Sequence, residues 1–445
     1  MKQNRTVKFV LFFLLILCTV SHDLVATFQI NHIFHAPMRT RDFFHNDKTY
    51  TSGSFFFSHA KKGFNFNEKK VGILNLDGDY NLKVITQALD IYNNDLNNTA
   101  YINPLEKLDT NYLRRDAIYD TAATVQTYGI NLSHEQRLFK DFLFCGVSLP
   151  ILHLRTHNKT TFSAKKSDPF IVDIFNNDKT KWHNIEVARR DIHKELGLQG
   201  NLWSRTSAGD CEFHIALHKS WDYALMCKKI QLTCRFGAVA PTGIQRNDDY
   251  MSSVSFGNDG HWSIYNSLGI DIELKQNLTT GIFTSFVFPL GHNHKEKRIA
   301  VYEEPCYLSP LKKDLKIEPG ILWSAAPYIT FENLLQGANL HIKYTYMHHQ
   351  KNKIAELDSD DLVKSYLQRI DGLFVDTEGI AQVKRSKKQN KWHEHYMTFE
   401  ANYSPHLALK KWWYEPNFYA LYNYPLGGRG AAQNYHFEFG MVLHF

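Results

Sequence analysis

The last eleven residues of the chain alternate. Tyr435, Phe437, Phe439, Met441, Leu443 and Phe445 are apolar or aromatic, and His436, Glu438, Gly440, Val442 and His444 lie between them. A side-chain period of two belongs to a β-strand with two unlike faces. The pattern recurs upstream. Ile264, Leu268, Ile270, Ile272 and Leu274 alternate with Tyr265, Ser267, Gly269, Asp271, Glu273 and Lys275. Ala338, Leu340, Ile342, Tyr344 and Tyr346 alternate with Asn339, His341, Lys343 and Thr345. Runs at 230–238 and 397–403 behave in the same way. Each is close to the roughly 9–11 residues that a tilted strand needs to cross a bilayer.

The connections alternate as well. Gln276–Thr279 and Glu332–Gly337 are short, whereas 155–210, 241–263, 291–320 and 349–393 are long and polar. Fourteen strands are expected, near 28–37, 54–64, 70–77, 117–130, 141–154, 211–218, 229–240, 264–275, 280–290, 321–331, 338–348, 394–404, 417–424 and 435–445. The first three are the least patterned, which leaves twelve as the alternative. Helices are expected inside the long links, over Lys181–Leu196 and Ser359–Ile370, with a third over 85–98.

Lys2, Arg5 and Lys8 precede an apolar run from Phe9 to Val20, the pattern of a secretory signal peptide over residues 1–21. Residues 22–445 then form one domain. Removing the signal lowers the net charge from +6 to +3, too little to argue for nucleic acid. Five cysteines remain, an odd number with no CxxC pair, so neither a disulfide framework nor a zinc site is expected.

A sheet in lipid must close, because an open edge strands N–H and C=O groups in hydrocarbon. One face then meets lipid and the other a lumen. Arg235, Asp271, Glu273, Lys275, His341, Lys343, Glu400 and Glu438 are the expected pore-lining residues. A secreted soluble β-rich sandwich would alternate in the same way, with its apolar face inward.

The ending Glu438-x-Gly440-x-x-Leu443-x-Phe445 resembles the C-terminal assembly signal of bacterial outer-membrane β-barrels. Phe236–Gly243 (FGAVAPTG) is similar to a strand-end motif of porins grouped with phenol degradation and hydrocarbon uptake. The resemblance implies an all-β, transmembrane, antiparallel up-and-down barrel in the outer membrane of a Gram-negative bacterium, with the long loops extracellular. The expected partners are outer-membrane lipid and lipopolysaccharide, the barrel-assembly machinery, which would read Glu438, Gly440, Leu443 and Phe445, and small solutes. Passive diffusion or uptake of those solutes is the expected function. A barrel displaying its loops for adhesion or binding is the alternative.

No enzymatic role, cofactor or metal is expected. The chain has no GxSxG, HExxH or Walker motif. The pairs His292/His294, His348/His349 and His393/His395 lack a third ligand at fixed spacing and read as strand-end and loop histidines. Glu356, Asp358, Asp360 and Asp361 lack the glycine and closing glutamate of a calcium loop. Lys384, Arg385, Lys387 and Lys388 read as a solvated loop, with electrostatic contact to anionic lipopolysaccharide or host surface polymers as the alternative.

Overall fold

The computed structural model describes residues 49–76, 79–86, 115–139, 142–198, 200–222, 227–298, 312–335, 337–356, 391–405 and 415–445. The signal segment, the strand expected near 28–37, most of the helix expected over 85–98, the helix expected over Ser359–Ile370 and the Lys384–Lys388 cluster lie outside them.

Eighteen strands are present among the described residues: β1 (Tyr50–Phe64), β2 (Lys70–Gly72), β3 (Tyr80–Asn81), β4 (Ile118–Phe139), β5 (Leu143–Phe162), β6 (Leu202–Ala208), β7 (Cys211–Asp222), β8 (Lys229–Ala240) and β9 (Ser263–Lys275). Then come β10 (Leu278–Pro289), β11 (His292–Arg298), β12 (Lys312–Glu318), β13 (Leu322–Leu335), β14 (Ala338–His349), β15 (Lys353–Glu356), β16 (Trp392–Tyr403), β17 (Glu415–Arg429) and β18 (Ala431–His444). Twelve of them close into one antiparallel barrel, in the order β1-β18-β17-β16-β14-β13-β10-β9-β8-β7-β5-β4 and back to β1. Tyr50 pairs with His444 on one side and with Glu135 on the other, so the sheet has no free edge at that seam.

The alternation sorts residues by face. On β9, Ser263, Tyr265, Ser267 and Asp271 are buried, while Ile264 and Leu274 are exposed and Leu268, Ile270 and Ile272 are half-exposed. The register carries this around the wall: Ile270 stands beside Leu232 and Ile282, whereas Asp271 stands beside Gln231 and Gly281. The exposed row continues through Phe55, Phe57, Ile151, Phe213, Ile215, Phe399, Phe437 and Phe439. An apolar belt outside and polar side chains inside make this a transmembrane barrel. A soluble sandwich would bury those residues. The described residues contain no helix long and apolar enough to cross a membrane; the strands do so.

The count is twelve rather than fourteen. The segment expected as a strand over 70–77 pairs only through β2 and then tightens into a 3-10 turn at Ile73–Asn75. Ile73 and Leu74 are adjacent, and both are buried together with Leu76. Two adjacent residues cannot share one face of a strand, so the segment coils into a core instead.

That core lies at the rim carrying the long links. Strands β4 and β5 are 22 and 20 residues long, about twice a membrane crossing. Their upper inward faces (Tyr119, Ala123, Val125, Leu152, Leu154) pack on Ile73, Tyr80 and Ile85 and on two helices, α1 (Pro169–Asn177) and α2 (Lys179–Glu195). Asp168 caps α1 by accepting the Phe170 N–H at 2.9 Å, and Pro169 takes the first position, where no amide donor is needed. Asp178 caps α2 through the Lys181 N–H at 3.0 Å. Ile185, Ala188 and Ile192 form the buried stripe of α2, which ends at Gly197 with φ of 68°. Beside this core, β11, β12 and β15 form a separate three-stranded sheet.

Candidate functional site: the barrel interior

The interior is built from rows of side chains in register. Glu135 on β4, Gly146 on β5, His214 on β7, Gly237 on β8 and Tyr265 on β9 are successive lateral neighbours. The glycines make the row possible. A Cβ on Gly146 would collide with the His214 ring, and one on Gly237 would collide with the Tyr265 ring. With both absent, His214 reaches over Gly146 and its Nε2 lies 2.8 Å from Glu135 Oε2. Arg235 Nη2 donates to the same oxygen at 3.0 Å, and Tyr265 donates to Glu212.

The arrangement of tyrosine over glycine occurs three times. Tyr328 covers Gly281 and donates to Asp271 at 3.1 Å; Tyr419 covers Gly440 and donates to Glu438 at 3.0 Å. In each case an aromatic ring fills the space of a missing side chain, and its hydroxyl reaches an inward carboxylate. A buried hydroxyl and a buried carboxylate each need a partner, and each supplies the other's.

Of the eight residues expected to line a lumen, six are buried on the inward face. Arg235 and Asp271 join the contacts above. His341 Nδ1 lies 2.8 Å from Thr330 Oγ1. Glu400 accepts from Asn402 at 2.9 Å. Glu438 accepts from Ser54 at 2.5 Å and faces His436 at 3.4 Å. Lys343 is 2% exposed. The other two lie nearer the hairpin end. Glu273 accepts from Lys228 at 2.6 Å, and Lys275 is exposed next to the turn, where the register shifts. In the C-terminal motif, Gly440 lies under Tyr419, Leu443 is on the outward face, and the Phe445 N–H donates to Thr49 O at 2.9 Å.

Glu135, His214, Tyr265, Tyr328 and Tyr419 belong to these clusters but carry little sequence signal. Glu135 falls in Asn131–Gln136, where Leu132 is the one apolar residue and the alternation fades. Inward glycines on otherwise regular strands, at 146, 237 and 281, are the signal that marks such rows.

Among these rows lies a cavity of about 170 Å³ that extends from β5 across to β16. Lys343, Thr345, Ser285 and Ser324 give it a polar side, and Phe283, Met347, Leu322 and Tyr396 an apolar one. Phe256, Gly257 and Asn258, from the 241–262 link, contribute to its lining from the long-link rim. Asp210 holds that link at both ends, accepting the Gly243 N–H at 2.9 Å and the Asn258 N–H at 2.6 Å. Burial pushes the Asp210 carboxyl up to about 6 against the lowering effect of those two amides. Arg298 fixes the outer side of the same link, donating to Asp248 O at 3.0 Å and to Leu196 O, at the end of α2, at 2.7 Å.

No protein-family model matches the chain, and no curated protein does. Solved structures of similar extent do exist. An outer membrane channel from Pseudomonas putida F1 is 10% identical, with 93% of this chain and 98% of that one covered and a TM-score of 0.48. A FadL homologue from Pseudomonas aeruginosa is 8% identical, with 96% and 99% covered and a TM-score of 0.30. OprD from Pseudomonas aeruginosa is 8% identical, with 90% and 94% covered and a TM-score of 0.26. None of these likenesses assigns an activity to this chain.

Proposed function

We propose that the chain is an outer-membrane pore through which small solutes diffuse or are taken up. The supporting observation is the cavity that crosses the barrel from β5 to β16, enclosed by polar inward rows and roofed by a link tied down at Asp210. A barrel serving only as an anchor needs no such chamber. In this reading the long-link rim faces outward from a Gram-negative cell and the short turns face the periplasm. The signal peptide delivers the chain to the periplasm. The assembly machinery engages Glu438, Gly440, Leu443 and Phe445, and lipid and lipopolysaccharide surround the apolar belt. The inward groups carry both signs, so the field along the path is weak and selectivity rests on chamber size and on its two unlike sides. No chemistry is assigned to the interior.

The test is conductance of the refolded protein in a planar bilayer. Discrete, salt-dependent steps are expected, and their absence at every applied voltage would leave the anchoring role. That second reading has its own support, since α1, α2 and the three-stranded sheet form a structured head at the long-link rim.

A further inference from the structure

We propose that His261, His292 and His294 bind one divalent transition-metal ion, of the zinc, nickel or copper type, at the long-link rim. His292 and His294 are alternate residues of β11, and His261 comes from the end of the 241–262 link. Their rings form a compact trio, with centroids 4.8 Å apart for His261 and His294, 5.1 Å for His292 and His294, and 5.9 Å for His261 and His292. A tetrahedral zinc ion with Zn–N bonds of about 2.0–2.1 Å places the centroids of its imidazole ligands roughly 5 Å apart.

The proton arrangement also suits a metal. His261 Nδ1 lies 2.9 Å from Leu290 O, an atom that only accepts, so the proton is on Nδ1 and Nε2 carries a lone pair. A histidine held through one nitrogen, with a lone pair on the other, has the usual second-sphere arrangement of a metal ligand. His294 Nε2 lies 2.9 Å from that lone pair and donates its hydrogen to it. Replacing this hydrogen by a metal ion moves the His294 proton to Nδ1 and opens the pair of nitrogens to about 3.3 Å, the tetrahedral separation. His261 and His294 are buried, whereas His292 is exposed at the edge of the trio. Among the described residues no three ligand groups already converge on one point, so rotation of His292 is the closing step. Asp259 and Lys297, one of each sign, act on both buried rings. The fourth position is left to water.

The other histidine group differs. His348, His393 and His395 lie on the outward faces of β14 and β16, and His395 Nδ1 is taken by the Tyr344 hydroxyl at 2.6 Å. It therefore serves as the internal control, and the proposal does not depend on whether the barrel conducts.

The probe is Zn²⁺ titrated into the folded full-length barrel by calorimetry, with Co²⁺ absorption as a second readout of nitrogen ligation. One ion per chain is expected. His292→Ala, at an exposed site that leaves folding intact, should weaken binding by at least about tenfold, as loss of one ligand does. His261→Gln should do the same, and His393→Ala combined with His395→Ala should change nothing. Absence of saturable binding, binding that survives His292→Ala, or binding abolished by the His393/His395 pair would each overturn the proposal.

Discussion

Tyr328 occupies the space that a side chain at Gly281 would need, and the hydroxyl it projects across that glycine ends 3.1 Å from Asp271. Three strands are thereby joined by one ring: β13 supplies the tyrosine, β10 the gap and β9 the acceptor. Gly281→Val should expel the ring and cost about 1–3 kcal/mol through overpacking. A Cβ on Gly427 meets nothing within 4 Å, so Gly427→Ala is the control and should be neutral. Urea unfolding from lipid vesicles, followed by the boiled-versus-unboiled shift on gels, gives both values. Equal behaviour would mean that Tyr328 does not lie over Gly281.

Depth along β9 sets the cost of an outward charge. Leu268 lies near the middle of Ser263–Lys275 and Leu274 near its end. Leu268→Arg should cost roughly 2–4 kcal/mol and Leu274→Arg roughly 0–1 kcal/mol. The same unfolding experiment measures both, and a reversed order would shift the membrane plane relative to the strand.

The inward charges should be visible electrically. Reversing Asp271 and Glu273 to lysine changes the wall by four charges and should move the reversal potential in a salt gradient towards anion preference. An unchanged potential would mean that current does not pass these side chains.

Asp210 makes the roof of the chamber sensitive to pH. Its folded pKa, about 6, lies above the ordinary 3.8, so the folded state binds the proton more tightly than the unfolded chain does. The stabilisation from that proton is complete below 3.8 and is lost as pH rises through about 6. The difference in unfolding free energy between wild type and Asp210→Asn should therefore grow in favour of wild type as pH falls from 7 to 4. A difference that is flat with pH would remove Asp210 as the titrating group.

Phe445 closes the last strand through its amide on Thr49 O, while its ring is 44% exposed. Little packing depends on that ring. Deleting Phe445 should reduce the amount of assembled barrel in cells far more than it lowers the unfolding midpoint of protein refolded in vitro. Comparable losses in both measurements would make the residue structural.

The barrel was legible because its strands repeat one simple rule. Wherever lipid is on one side and polar contacts on the other, as from Ile264 to Leu274, a period of two is unavoidable. Helix α2 was legible because Ile185, Ile192 and Leu196 mark one face, and α1 announces itself only by Asp168 and Pro169. The rule weakens where its cause does. Asn131–Gln136 lies at the short-turn end of β4, where Leu132 is the one apolar residue, and the strand runs through a stretch that reads as a loose link. Ile73, Leu74 and Leu76 are apolar for a different reason, burial in the core with α2 and β4, and mimic a strand. The interior clusters were legible only in part. Asp271 and Glu438 stand on alternating strands, but their tyrosine partners arrive from strands 19 to 57 residues away. His261 is separated in the same way from His292 and His294, so no spacing rule connects the three.

Strand β4 runs without a register shift against β5 from Tyr119 to Arg137. At one end Tyr119 is packed beneath α2, and at the other Glu135 holds Arg235 and His214. The head outside the membrane and the charge cluster within the wall are thus two ends of a single jointless rod.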